Sequence, residues 1–161
     1  MPRIEVPPDP RDLPGDFRYR RPIEVRFNDT DAMGHVNNAV YLTYCEMARA
    51  GYYETVMGRP LPLGVHGVEE GMILAEIRIA YRSPLVFGET VTVEARMESV
   101  GRTSFRMAFR LTAGESRYGR PRLVAVAESV QVMYDYAAGR PIPVPDELVA
   151  AAEAFEGRRL R

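Results

Sequence analysis

Residues 28–41 read Asn28-Asp29-Thr30-Asp31-Ala32-Met33-Gly34-His35-Val36-Asn37-Asn38-Ala39-Val40-Tyr41, and the change of character inside this stretch decides the fold. It begins as a polar, turn-forming run of Asp, Asn and Gly, whose short side chains hydrogen-bond nearby backbone. It ends as a helix. Asn37 or Asn38 can cap the first free amides. Beyond them Val40, Tyr41, Tyr44, Ala48, Gly51, Tyr52 and Thr55 recur at three- and four-residue spacing. Gly58 followed by Pro60 ends the helix. Leu42, Cys45 and Met47 fall off that stripe, so the helix is apolar around much of its circumference. Such a helix must be covered on more than one side, as by a curling sheet.

Upstream, Ile23, Val25 and Phe27 alternate with Glu24, Arg26 and Asn28, which predicts a strand with one buried face. Downstream, after a loop through Gly64, Gly67 and Gly71, strands follow almost without interruption. Ile77, Ile79 and Tyr81 alternate with charged residues, as do Val91, Val93, Ala95 and Met97, then Phe105, Met107, Phe109 and Leu111. In the last long strand Val124, Val126, Val130, Val132 and Tyr134 share one parity. Glu128 has the same parity and breaks the pattern. A bulge that flips parity accounts for it; the alternative is a functional carboxylate facing the interior. The short connectors Ser83 to Gly88 and Gly101-Arg102 predict antiparallel hairpins. A final helix opens at Pro145-Asp146 and runs to about Phe155.

Strand, long helix, four strands and short helix make an α+β fold, one helix laid on one antiparallel sheet. Six of the 13 prolines fall in residues 1–22. Residues 1–21 are therefore expected as an arm, 22–156 as a single domain and 157–161 as a tail.

Composition narrows the function. A chain of 161 residues suits one domain. With 46% hydrophobic and 27% charged residues it is not disordered, collagen-like or a coiled coil. The 21 basic and 22 acidic residues give a net charge of -1, which argues against a dedicated nucleic-acid binder. All the basic residues are arginine, so lysine Schiff-base chemistry is excluded. The single cysteine excludes an intrachain disulfide and suits a reducing compartment. With only His35 and His66 beside it, no zinc spacing can be assembled. No run is long enough to span a membrane, and residues 1–21 lack the apolar stretch of a secretion signal. The expectation is a cytoplasmic protein with neither nucleic-acid nor membrane partners.

The polar run is where chemistry can sit. A helix start offers free N–H groups and favours negative charge. A carboxylate and an imidazole beside such amides are the parts of an acyl-transfer site: the amides hold an oxyanion, the carboxylate attacks or activates water, and the imidazole positions a group. The plainer reading is that Asp29 and Asp31 close turns, Asn37 caps and His35 packs. Elsewhere the residue types favour structure. Glu46 and Arg49 form an i, i+3 ion pair. Tyr41 and Tyr44 pack in the core with bonded hydroxyls. Cys45 is a buried, inert thiol. His66 has no evident partner.

The order Asn28-Asp29-Thr30-Asp31-x-x-Gly34-His35-Val36-Asn37-Asn38-x-x-Tyr41-x-x-Tyr44-x-Glu46-x-Ala48-Arg49 resembles the signature of hot-dog-fold acyl-CoA thioesterases of the 4-hydroxybenzoyl-CoA thioesterase type. The likeness continues through Tyr81-Arg82-Ser83-Pro84-Leu85-x-Phe87-Gly88-Glu89, Gly101-Arg102-Thr103-Ser104 and Gly139-Arg140-Pro141-Ile142-Pro143, over about residues 21–145. It implies a long central helix wrapped by a curved antiparallel sheet of about five strands. It also implies a catalytic Asp31, acting as nucleophile or as base on water, with a backbone amide near Asn38 as oxyanion donor. His35 either supports catalysis or shapes the pocket. Plant acyl-carrier-protein thioesterases share Asp31 and His35 in this motif but carry a further asparagine where this chain has Met33.

Some hot-dog thioesterases use a helix glutamate, which keeps Glu46 as a second candidate. Tyr41 would line the acyl pocket, and the segment Arg102-Thr103-Ser104 would border pantetheine and phosphates, with Arg82 and Arg102 as phosphate partners. The resemblance implies no metal or redox cofactor, coenzyme A being part of the substrate. It implies a homodimer or homotetramer with each site at a subunit interface. Two other activities fit the same motif: an enoyl-thioester hydratase or dehydratase, and a non-catalytic acyl-thioester binder.

Overall fold

The computed structural model describes residues 12–61 and 70–161. His66 and most of the proline-rich arm lie outside the described residues. The element order is β1 (Tyr19–Glu24), a 3-10 turn (Phe27–Asp29), α1 (Asn38–Met57), β2 (Glu70–Tyr81), β3 (Thr90–Val100), β4 (Ser104–Ala113), β5 (Arg122–Asp135), the two-residue β6 (Arg140–Pro141) and α2 (Asp146–Glu156). The strands form one antiparallel sheet in the order β1-β3-β4-β5-β2, with β6 on β5. The hot-dog architecture expected from the sequence is the one observed. No described helix is long and apolar enough to cross a membrane.

Local signals set α1. Asn37 caps it by accepting the Ala39 N–H at 2.9 Å, and Gly58, at φ 67°, takes the left-handed conformation that ends it. Tyr41, Tyr44, Cys45, Ala48, Gly51, Tyr52 and Tyr53 are buried. Thr55 is exposed, and partly buried Val56 packs on the core instead, as the stripe drifts around a 3.6-residue helix. Gly51 allows the closest approach: a Cβ there would lie 2.0 Å from the Tyr19 hydroxyl.

Four expectations are corrected. First, β1 begins at Tyr19 and stops at Glu24. Phe27 lies in the 3-10 turn and is 73% exposed, because Asp29 draws the backbone of Arg26 into that turn. Second, residues 82–89 do not close a hairpin. β2 pairs with β5 at the sheet edge, so this loop crosses three strand spacings, about 14 Å, to reach β3.

Third, Val126, Val130 and Val132 lie on the opposite face of β5 from Ala125, Ala127, Ser129, Gln131 and Met133, which are buried. Glu128 is exposed on the valine face, and only Val124, at the register shift opposite Leu111/Thr112, joins the core. The register explains it. Phe109 lies opposite Ala127, Met107 opposite Ser129 and Phe105 opposite Gln131, so bulky β4 side chains meet smaller ones in the layer beneath the helix. No bulge is needed at Glu128; the irregularities fall at Leu74/Glu76, Met97/Ser99 and Leu111/Thr112.

Fourth, Phe17 of the expected arm and Leu160 of the expected tail pack into the domain. Phe17 is 2% exposed, with the Arg96 and Arg110 guanidinium groups 4.2 and 4.4 Å from its ring. Leu160 is buried, and its carbonyl accepts the Val100 N–H at 2.8 Å.

Candidate active site

The polar run folds into a small hairpin. Thr30 and Val36 form an antiparallel bridge, the Asp31 N–H donates to the His35 carbonyl at 3.0 Å, and the Asn37 N–H donates to the Asp29 carbonyl at 2.8 Å. Gly34 turns the chain at φ 78°, where a side chain would be strained.

The two aspartates then diverge. Asp31 is exposed at the tip. One carboxylate oxygen accepts the Met33 N–H at 2.9 Å and the other the Asn37 amide at 3.3 Å. The carboxylate is therefore aimed, yet each oxygen keeps a free lone pair. Asp29 is 1% exposed. It accepts the Arg26 N–H at 2.9 Å, the Arg26 guanidinium at 2.8 Å and the Tyr44 hydroxyl at 2.7 Å. Burial pushes its pKa upward, but the Arg26 and Tyr44 hydrogen bonds outweigh it and hold the carboxyl below its ordinary value. Asp29 is a structural pin, and Asp31 is the exposed carboxylate of the pair.

The helix start lies beside this hairpin. Asn37 engages the N–H groups of Ala39 and Val40, through its side chain and its carbonyl respectively. Among the described residues no acceptor meets the N–H of Asn38. The Asn38 carbonyl accepts the Tyr81 hydroxyl at 2.9 Å. The Tyr81 ring stands edge-on to that of Tyr41 at 5.1 Å, and the Tyr41 hydroxyl accepts the Leu85 N–H at 3.3 Å. The hairpin thus sets Asp31 close before the start of α1, tied to the Asn37 amide, while Tyr81 holds the Asn38 carbonyl and packs on Tyr41. His35 is exposed on the same hairpin, and there the carbonyl rather than the ring holds Asp31.

The other candidates are placed elsewhere. Glu46 is exposed and 3.9 Å from Arg49, as their spacing predicts. Arg82 is half-buried and paired with Asp12 at 2.6 Å. Arg102, Thr103 and Ser104 form the β3–β4 turn at the opposite end of the sheet. Ser104 pairs with Val132 and Val132 with Ile73, and from Ile73 to Tyr81 is roughly 25 Å at ~3.3 Å per residue. Cys45 is buried, and burial pushes its thiol up to about 12. Among the described residues no three His, Cys, Asp or Glu side chains are grouped to hold a metal ion.

Sequence reasoning passed over the partners of two tyrosines, an aromatic pair and a cleft. Tyr44 and Tyr81 reach the hairpin from 15 and 43 residues away, with no local signal. Phe27 and Phe87, both exposed, stack edge-on at 5.8 Å from the turn before the hairpin and the loop that supports it. A cleft of about 520 Å³ opens near the far end of α1, lined by Tyr53, Met57, Met72, Met133 and Leu148 with the Arg59–Glu147 ion pair.

The family model described as the thioesterase-like superfamily matches residues 25–152. A 1,4-dihydroxy-2-naphthoyl-CoA hydrolase of Synechococcus elongatus is 28% identical over 83% of this chain and 92% of its own. An acyl-acyl carrier protein thioesterase of Arabidopsis thaliana is 28% identical over 78% of this chain and 63% of its own. A thioesterase from Thermus thermophilus, crystallised with coenzyme A and zinc, superposes with a TM-score of 0.73. It is 34% identical, covering 89% of this chain and 98% of its own.

Proposed function

The chain belongs to the thioesterase-like superfamily and is a thioester hydrolase, and we propose that it releases coenzyme A from an acyl-CoA at the Asp31 hairpin. The observation that carries this is an exposed carboxylate, aimed by two hydrogen bonds, on the hairpin that leads directly into α1, whose first amide meets no acceptor among the described residues. The coenzyme A ester named for the Synechococcus relative and the coenzyme A in the Thermus structure support the substrate class.

A thiolate leaves far more readily than an alkoxide, so the site needs mainly an oxyanion donor and a positioned carboxylate. As base, Asp31 takes a proton from water while the water oxygen bonds to the thioester carbon. The carbonyl pair moves onto oxygen and accepts the Asn38 N–H. Collapse then breaks the C–S bond, and the departing thiolate takes the proton back. As nucleophile, an Asp31 oxygen itself bonds to the carbon and expels the thiolate, and water splits the resulting mixed anhydride. Neither route uses a metal or redox cofactor.

An unpaired sheet edge supports a reading of the assembly. β2 is a 12-residue edge strand, and long exposed edges are paired or covered. We propose a homodimer, or a homotetramer built from it, paired antiparallel through β2. Two-fold symmetry then sets Tyr81 of one copy beside Glu70 of the other. The Asp31 hairpin of one copy meets the 520 Å³ cleft and the Arg102-Thr103-Ser104 turn of the other, which would receive the acyl group and the coenzyme phosphates.

Free-thiol release from short, long and aromatic acyl-CoAs tests this reading. Asp31→Asn should lose about a thousandfold in kcat, since both routes need the carboxylate. Full activity in Asp31→Asn would overturn the site. In the same panel, His35→Gln lowers kcat if the ring supports catalysis and raises KM if it shapes the pocket.

A further inference from the structure

The Asp31 hairpin does not hold its own position. Both of its flanks hang on the loop 82–89. The Val25 N–H donates to the Glu89 carbonyl at 3.0 Å ahead of the hairpin, and the Val36 N–H donates to the Leu85 carbonyl at 2.9 Å behind its tip. The Leu85 N–H reaches the Tyr41 hydroxyl in the first turns of α1. Yet this loop crosses the sheet end between β2 and β3 and belongs to no strand.

What fixes it is an ion pair with side chains only 1% and 2% exposed, between Glu89 and Arg122 at the start of β5. The two terminal nitrogens of Arg122 each donate to one Glu89 oxygen at 2.9 Å. Arg122 also donates to the Pro84 carbonyl at 2.9 Å and the Ser83 hydroxyl at 2.8 Å. Glu89 accepts the Val86 N–H and the Ser116 hydroxyl, each at 3.1 Å. Burial opposes the charge on Glu89, but Arg122 and the Val86 amide hold its carboxyl below the ordinary value.

Apolar residues of like volume often serve stability as well as a buried ion pair does. What they lack is direction. Here the directed bonds fix residues 83, 84, 86 and 89, and thereby Leu85 between them. We propose that the Arg122–Glu89 pair is a positioning device for the hydrolytic site. It sets the loop 83–89, the loop sets Val36 and Tyr41 through Leu85, and these aim the Asn38 amide at the thioester oxygen. The proposal rests on the hydrolytic reading above.

The test pairs kinetics with amide hydrogen exchange on Glu89→Gln, Arg122→Lys and Ser83→Ala. A misplacement near 1 Å costs kcat rather than binding, so Glu89→Gln should lose about 10- to 100-fold in kcat while KM stays within about threefold. Arg122→Lys keeps the charge but not the fork, and should fail to restore the rate. Ser83→Ala removes one bond and should lose a few-fold; it carries the test if the other two do not fold. Exchange at Val36 and Leu85 should quicken about tenfold beyond any change at the core amides of Val93 and Phe109.

Unchanged kcat in the folded variants, or exchange rising equally in the core, would overturn the proposal and leave the pair a stabilising contact only. If the native chain releases no thiol from any acyl-CoA, the hydrolytic reading fails by itself. The exchange pattern then still decides whether the pair positions the hairpin.

Discussion

The two ends of α1 are built on opposite principles. At its start nearly every contact is directional: the hairpin bridge, the Asn37 cap, the Asp29 pin, the Tyr81 bond to Asn38 and the buried Arg122–Glu89 pair. At its far end the lining is Tyr53, Met57, Met72, Met133 and Leu148 around open space. Reacting atoms must be held in a fixed geometry, which hydrogen bonds supply. An apolar group needs only volume and a dry wall, and methionines adapt their shape to supply both. On the proposed reading chemistry and fit are segregated along one helix, and an antiparallel pair of copies would bring them together.

The sharpest break of this contrast sets Asp31→Asn against Leu148→Trp. The first should lower kcat for every acyl-CoA about a thousandfold without lowering the melting temperature, since the side chain is exposed. The second fills the cleft and should raise KM about tenfold for bulky acyl groups, with short ones little affected. A Leu148→Trp that lowers kcat equally for all acyl groups would show that the far end is no acyl pocket.

Next in size is the pin. Asp29→Ala leaves the Arg26 and Tyr44 donors without their carboxylate and should cost about 3 kcal/mol, seen as a melting temperature about 6–12 °C lower. Tyr44→Phe removes one buried hydroxyl bond and should cost about 1 kcal/mol. Equal losses in the two variants would mean that Asp29 holds the hairpin only through Tyr44.

The smallest effect is on acid stability. Asp29 and Glu89 both sit below their ordinary values of 3.8 and 4.5. The unfolded chain then binds protons that the folded chain refuses. Their contribution is therefore complete above the ordinary carboxylate range and is lost as pH falls through it toward the lowered values. Urea midpoints should fall between about pH 5 and pH 3, and Glu89→Gln should flatten that slope. An unaltered slope in Glu89→Gln would show that Glu89 is not linked to folding and leave the acid loss to Asp29.

Much of this was readable residue by residue. The cap at Asn37, the stop at Gly58, the β3 and β4 faces and the turn at Gly101-Arg102 are short-range signals, and each element lies where its signal predicts. Asp31 and the Asn38 amide were singled out by resemblance to a family motif, while the local signals by themselves equally suited a turn and a cap. The valines of β5 misled because β-propensity does not say which face a side chain occupies. The connector 82–89 misled because its length suits a hairpin, while its role as a crossing depends on β5 lying between β2 and β4. Glu89 and Arg122 are 33 residues apart, and neither announces the other.

The amino-acid sequence alone determined the α+β class, the central helix with its ends, and the carboxylate-bearing turn before it, because caps, turns and periodicity act over a few residues. Only the tertiary structure decided which strands are neighbours, which face of β5 is buried, and that Asp29 is buried while Asp31 is exposed. Those outcomes depend on complementary volumes and on hydrogen-bond partners that meet only when distant parts of the chain are packed together.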